Sequence, residues 1–231
     1  MEKIPVKHLV SKEFQSAEAM KTLRTNLMFS GSNVRAFALT SYCASEGKST
    51  ISFQLAAAFA QAGKNVLLLD ADMRKSMLAS RLRVKNKIRG LSHYLTGRSD
   101  VKDLLYGTDV DGMYILFAGV RVPNSSELLG SAQFEALIPK LKESFDYIIV
   151  DAAPLGQVID CAVMSPRLDG VIMVIDSTDN HYKLEQRIKN QIEATGGKVL
   201  GAVLNKVNFA DRSSYYGKAY GYGYGYGETG K

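Results

Sequence analysis

The sequence predicts an α/β fold, a mostly parallel sheet flanked by helices, with a flexible Tyr/Gly-rich C-terminal tail. Three observations carry this expectation. Short apolar runs alternate along the chain with longer segments of helix-forming composition. The runs are continuous rather than alternating in polarity, as in strands buried on both faces. Strand–helix alternation in turn implies parallel strands joined by right-handed crossovers. Beyond about residue 208, little remains that would pack a core. The expected organisation is one folded domain over residues 1–207 and a flexible tail over 208–231.

The elements follow in order. Residues 16–29 read as an N-terminal helix that precedes the sheet. Ala36-Phe37-Ala38-Leu39-Thr40 is the first strand, bounded by polar residues. Residues 49–62 are helix-forming and stop at Gly63, a residue suited to a C-terminal cap. Val66-Leu67-Leu68-Leu69 is the second strand and ends at Asp70. A third strand covers 113–117. The fourth, Tyr147-Ile148-Ile149-Val150, ends at Asp151. The fifth and sixth cover 171–175 and 199–204. Helical stretches at 132–143 and 183–194 lie between strands. In such a sheet ligands bind beyond the carboxyl ends of the strands, which is where Asp70 and Asp151 fall.

Composition narrows the class. Of 231 residues, 46% are hydrophobic and 23% charged, as in a soluble globular protein. No stretch reaches the roughly 20 apolar residues of a membrane span, and Met1-Glu2-Lys3-Ile4-Pro5 lacks the apolar core of a signal peptide. Cys43 and Cys161 make no disulfide framework, so reduced cytosol is the expected compartment. The net charge is +6. Part of the excess is Arg74, Lys75, Arg81, Arg83, Lys85, Lys87 and Arg89. This run is either a solvated helix–loop face or a contact for phosphates, an acidic partner or the inner membrane surface. No zinc spacing, helix-turn-helix signature or aromatic-studded basic sheet is present, so no nucleic-acid partner is expected.

The chemistry centres on Glu46-Gly47-Lys48-Ser49-Thr50, between the first strand and the following helix. In a phosphate loop of this kind, backbone N–H groups and the helix N-terminus cradle phosphate oxygens. Gly47 allows close backbone approach, Lys48 reaches the β- and γ-phosphates, and the Ser49 hydroxyl ligates Mg²⁺. Lys48 is expected as a charge on a surface loop. The full pattern is not met, because Tyr42 stands where the first glycine belongs. Asp70 and Asp72 are one residue apart, a spacing that puts both carboxylates on one side of an extended backbone. Asp151, at the end of a separate strand, is suited to hold Mg²⁺ directly or through water.

Together, Gly47-Lys48-Ser49-Thr50, Leu67-Leu68-Leu69-Asp70-Ala71-Asp72-Met73-Arg74 and Ile148-Ile149-Val150-Asp151 resemble the Walker A, A′ and B motifs of the bacterial tyrosine kinases (BY-kinases). These are P-loop NTPase-type cytoplasmic kinases of capsule and exopolysaccharide synthesis. Glu18, Lys21 and Arg24 resemble that family's Glu-x-x-Arg-x-x-Arg oligomerisation motif, with Lys21 in place of the first Arg. The resemblance covers essentially the whole chain. It implies a kinase that uses ATP and Mg²⁺, with Ser45, Glu46, Gly47, Lys48, Ser49 and Thr50 around the phosphates. Ser49, Asp72 and Asp151 would hold the metal. Lys48, Asp70 and Asp72 would be catalytic, the two aspartates dividing general-base work and metal contact. Asn205 resembles the strand-end Asn that reads adenine, or is a turn-forming Asn. Departures from the pattern are Ala44 for Pro, Ser45 for Gly, Ser76 for Pro and Ala152-Ala153 for Ser/Thr-Pro. Ser45 would stiffen the loop if its φ is positive.

Half of the 12 tyrosines are Tyr215, Tyr216, Tyr220, Tyr222, Tyr224 and Tyr226, the last four alternating with glycine. Glycine disfavours regular structure and leaves each ring accessible. This segment is expected to be a phosphoacceptor array, modified in trans. The resemblance also implies a ring-shaped homo-oligomer, a membrane polysaccharide co-polymerase-type activator, protein tyrosine substrates and a cognate phosphotyrosine phosphatase. The enzyme would then lie at the inner face of the membrane through its partner. Two alternatives stand beside the kinase. One is a partition or site-selection ATPase switch, against which Cys43 stands at that class's signature lysine. The other is a weakly active regulatory subunit with a phosphorylatable tail.

Overall fold

The computed structural model describes residues 3–31, 33–84, 88–178 and 182–207. The tail with its six tyrosines, and Lys85 and Lys87 of the basic run, lie outside the described residues. The chain forms α1 (Phe14–Phe29), β1 (Ala36–Ser41), α2 (Lys48–Gln61), β2 (Val66–Asp70), α3 (Leu78–Arg81) and α4 (Leu91–Leu95). It continues through β3 (Tyr106–Gly107), β4 (Met113–Leu116), α5 (Ser125–Leu129), α6 (Ala132–Lys142) and β5 (Tyr147–Asp151). It closes with α7 (Asp160–Met164), β6 (Gly170–Asp176), α8 (Tyr182–Ala194) and β7 (Val199–Asn205).

The strands form one seven-stranded sheet in the order β3-β4-β2-β5-β1-β6-β7. All neighbours are parallel except β3 and β4, an antiparallel pair at one edge. Side chains of one strand go to opposite faces, so each apolar run serves two cores. Val66 and Leu68 pack with Phe37, Leu39 and Ile149 beneath α1 and α2. Leu67 and Leu69 pack with Ala36, Ala38 and Val150 beneath α6, α7 and α8. The result is helices on both faces of a mostly parallel sheet, buried at its centre, whereas the edge strand β7 is half-exposed, unlike the doubly buried strand its apolar run predicts.

β1 lies between β5 and β6 near the middle of the sheet, and the phosphate loop leaves its carboxyl end. The chain reaches β2 and β5 on one side of β1 and β6 on the other. The loop therefore sits where the winding of the sheet reverses, the usual crevice for a ligand in an open α/β sheet. α1 lies over α2, but only Leu27 is fully buried, while Phe14 and Phe29 are largely exposed. Among the described residues, no helix is long and apolar enough to cross a membrane.

Candidate functional site

The loop after β1 is held from behind. Ser41 Oγ donates to the Cys43 carbonyl at 2.6 Å, and the Cys43 N–H donates to Glu46 Oε1 at 3.1 Å. Asn205, at the end of β7, donates its amide to the Glu46 carbonyl at 2.8 Å. Gly47, the residue before α2, has φ 97°, and a Cβ there would lie 2.1 Å from Asn205 Nδ2. The φ favours glycine, and any Cβ would have to displace the Asn205 amide that fastens the loop. Ser45 has φ 66°, so the condition for loop stiffening is met: an L-residue occupies the left-handed region, which costs roughly 1–2 kcal/mol.

Gly47→Ala therefore adds steric conflict to backbone strain. The loop is expected to relax away from its phosphate-binding shape, and nucleotide must restore that shape on binding. Affinity for Mg-ADP is expected to fall by about tenfold or more, since each 1.4 kcal/mol is a factor of about ten. Titration with a fluorescent ADP analogue measures this, with circular dichroism to check that the sheet is intact.

Lys48 is not a solvated loop charge. As the first residue of α2 it is only 9% exposed, and it lines one cavity with three buried carboxylates, Asp70, Asp72 and Asp151. Asp70 and Asp151 are direct partners in the β2–β5 register, so parallel pairing itself puts the two strand-end acids side by side. Asp72 arrives differently from the extended-strand expectation, because β2 stops at Asp70 and the chain turns. The Asp72 N–H donates to Asp70 Oδ1 at 3.2 Å. Asp72 Oδ1 then accepts the N–H groups of Arg74 and Lys75 at 3.2 and 2.9 Å. Ser76, in the place of the usual proline, donates its hydroxyl to Asp70 Oδ2.

Crowding these acids in a buried site raises their proton affinity. Asp70 is held well above the usual carboxylate range, first by burial and then by the charge of Asp151. Asp151 is also raised by burial, against the opposing pull of Lys48 and the Ser49 hydroxyl. Asp151 Oδ1 is buried and makes no hydrogen bond. A divalent cation would relieve both conditions, so the residues present fit Mg²⁺. Among the described residues, no three His, Cys, Asp or Glu side chains form a metal cage. The remaining ligands would come from phosphate and water, as is usual for Mg²⁺.

A cavity of about 590 Å³ opens over this cluster. Ser45, Gly47, Lys48, Ser49, Asp70, Asp72 and Asp151 line it, together with the cationic side chains of Arg74, Lys75, Arg81 and Arg121. Asn205 and Glu46 stand behind the loop, joined by their hydrogen bond. Thr50 Oγ1 accepts Arg81 Nη1 at 3.3 Å, which ties α2 to α3. The basic run is thus divided: Arg74, Lys75 and Arg81 face the cavity, while Arg83 and Arg89 are exposed elsewhere. Motif reading named neither Arg121 nor Ser76 as site residues. Arg121 has no sequence signal, and only the chain path brings it to the cavity.

The N-terminal motif is separate from this cavity. Glu18 pairs with Lys21 at 2.6 Å on the exposed face of α1. Arg24 turns inward and donates Nη1 to the Ala58 carbonyl of α2 at 2.8 Å, with Nε buried and without a hydrogen-bond partner. Within one subunit it anchors α1.

A family model described as an AAA domain matches residues 37–195. Tyrosine-protein kinase CpsD of Streptococcus agalactiae is 38% identical over 194 residues, covering 84% of this chain and 85% of that protein. The crystal structure of the chimerical protein CapA2B2 superposes with a TM-score of 0.80 at 35% identity, over 87% of this chain and 89% of that one. The kinase domain of the Escherichia coli tyrosine kinase ETK superposes with a TM-score of 0.83 at 29% identity, over 97% of this chain and 86% of that one. With a phosphate loop, acids at the ends of the neighbouring strands, and this likeness to named kinases over most of its length, the chain belongs to the bacterial P-loop protein-tyrosine kinases.

Proposed function

We propose that this kinase transfers the γ-phosphoryl group of ATP to tyrosines of its own C-terminal cluster, in trans between subunits, and so regulates exopolysaccharide or capsule synthesis. The observation that carries the proposal is the buried acid pair Asp70–Asp151 beside Lys48 and Ser49, with Asp72 turned into the same cavity. Lys48 and the loop N–H groups would hold the phosphates. Ser49, Asp72 and Asp151 would hold Mg²⁺, which would supply charge neutralisation at the transferring phosphoryl group. Asp70 would accept the phenolic proton as the tyrosine oxygen bonds to phosphorus and the bond to the β-phosphate breaks, releasing ADP. A carboxylate with a raised pKa is suited to that work near neutral pH. Asn205 would serve the nucleotide through the loop it fastens.

The acceptors would be Tyr215, Tyr216, Tyr220, Tyr222, Tyr224 and Tyr226. They follow β7, and β7 ends beside the phosphate loop. The exposed Phe14 and Phe29 of α1 favour α1 as the contact between copies, with Glu18, Lys21 and Arg24 adjoining it. The family resemblance adds a ring, a membrane activator that brings the enzyme to the inner face of the membrane, further tyrosine substrates and a phosphatase.

Replacing the six tail tyrosines with Phe tests the proposal. Nucleotide binding should persist, most phosphotyrosine should disappear, and the assembly should stay whole in Mg-ATP. The wild-type assembly should dissociate, because each phosphate adds about −1.5 to −2 charges. Added salt should weaken that dissociation, since repulsion acts over a Debye length of ~8 Å at physiological ionic strength. Size-exclusion chromatography with phosphotyrosine blotting measures all of this. Heavy phosphorylation of the six-Phe variant would show that the tail is not the main acceptor.

A further inference from the structure

We propose that Asp160 is a positioning residue for phosphoryl transfer: it fixes Arg74, and through Arg74 the turn that aims Asp72 into the cavity. The inference rests on the kinase reading above. Asp160 begins α7 and is fully buried. Its Oδ2 accepts Arg74 Nε at 3.1 Å and its Oδ1 accepts Arg74 Nη2 at 3.3 Å. Ser125 of α5, also fully buried, donates its hydroxyl to Oδ2 at 2.5 Å. The third guanidinium nitrogen, Nη1, donates to the Pro123 carbonyl at 3.2 Å. One buried carboxylate thus organises a planar fork whose other end grips the segment between β4 and α5.

The turn that carries Asp72 is held from two sides. From within, Asp72 Oδ1 accepts the backbone N–H groups of Arg74 and Lys75. From without, the Arg74 side chain is fixed by Asp160, and the Met73 carbonyl accepts the Val122 N–H at 3.2 Å. The backbone of Arg74 is thus tied to Asp72 while its side chain is tied to α7. Losing the outer tie frees the donor that orients Asp72.

Stability alone is a weak reason for such a pair. A buried ion pair often does no better than apolar residues of similar volume, and α7 already buries Cys161, Ala162 and Met164. The pair supplies direction instead, since a bidentate guanidinium–carboxylate contact fixes both plane and distance. The arrangement resembles outer-shell support of a metal ligand, whose loss costs about 10- to 100-fold in affinity or activity.

The test uses the full chain with Asp160→Asn, Arg74→Lys and the double variant. An amide presents N–H groups to the guanidinium, and lysine cannot span both carboxylate oxygens. Initial rates of phosphotyrosine formation are measured against Mg²⁺ and ATP, and Mg-ADP binding is measured with and without Mg²⁺. Each single variant is expected to lower kcat by about 10- to 100-fold. The Mg²⁺ midpoint should rise, the KM for ATP should stay nearly unchanged, and Mg²⁺-free ADP affinity should be retained. The double variant should be no slower than the worse single, because the two residues act as a unit. Wild-type kcat and Mg²⁺ midpoint in a folded single variant would overturn the proposal, as would losses that multiply in the double. If Asp160→Asn does not fold, Arg74→Lys, at a partly exposed side chain, decides alone. If the wild type forms no phosphotyrosine, the kinase reading fails. The Mg²⁺-dependent gain in ADP affinity then decides the positioning role, since it requires no transfer.

Discussion

Lys48→Met is expected to reduce phosphotyrosine to background while the sheet remains folded. Lys48 opens α2, is only 9% exposed and lines a cavity that also holds Asp70, Asp72 and Asp151. It is the one lysine of the phosphate loop itself, at the point where charge accumulates during transfer. Removing a single preorganised donor of that kind costs about 10²–10³-fold in turnover. A second loss follows from burial. Lys48 is the largest influence that lowers the Asp151 pKa, so without it Asp151 moves further toward its neutral form and becomes a poorer metal ligand. Methionine fills the channel of the lysine stem, so packing is preserved. Phosphotyrosine blotting after incubation with Mg-ATP measures the loss, with circular dichroism and thermal melting to check the fold. Near-normal phosphotyrosine in a folded variant would remove the phosphate site from this loop.

Much of this arrangement was legible in the sequence, for a physical reason. Strands buried on both faces must be apolar throughout, so Val66-Leu67-Leu68-Leu69 and Tyr147-Ile148-Ile149-Val150 announce themselves, and each ends on its acid as observed. β3 has two residues, Tyr106 and Gly107. It exists because β4 offers an edge, not because of an apolar run. The helices α3, α4, α5 and α7 are too short to show a 3.6-residue period, and they form where loops fold back over the sheet. The same division runs through the site. Lys48, Ser49 and the three aspartates share local motifs. Arg121 and Asp160 reach the cavity and its support only through chain topology. The motif alone places Lys48 on a surface loop, whereas it is buried, because burial depends on the neighbouring strands, which a loop motif does not record. The motif spacing around Arg24 likewise does not record that one of its nitrogens is held by the Ala58 carbonyl of α2.

Asp70→Asn is expected to abolish transfer and at the same time stabilise the nucleotide-free protein. Asp70 is buried beside two other acids, and its pKa is pushed up to about 8, first by burial and next by Asp151. In the unfolded chain a carboxyl titrates near 3.9. Between those values the folded protein binds the proton more tightly than the unfolded chain does, so Asp70's contribution to stability declines as pH rises through the window. At about pH 5 the folded side chain is neutral and only the lower part of the window above about 3.9 has been crossed, so the variant should melt closer to the parent than it does near pH 8. Near pH 8 the parent carries a poorly solvated charge that the variant lacks, and the variant should melt higher. For a domain of this size each kcal/mol corresponds to roughly 2–4 °C, so the gap should be readily measured. Saturating Mg-ADP should narrow it, because cation binding relieves the same acids in the parent. Asparagine offers no base for the phenolic proton, so phosphotyrosine should fall to background at every pH. Thermal melts at about pH 5 and about pH 8, with blotting of the same samples, separate the two effects. A variant that melts below the parent at pH 8 would show that Asp70 is stabilised as a charge. One that keeps its activity would remove Asp70 from the proton transfer.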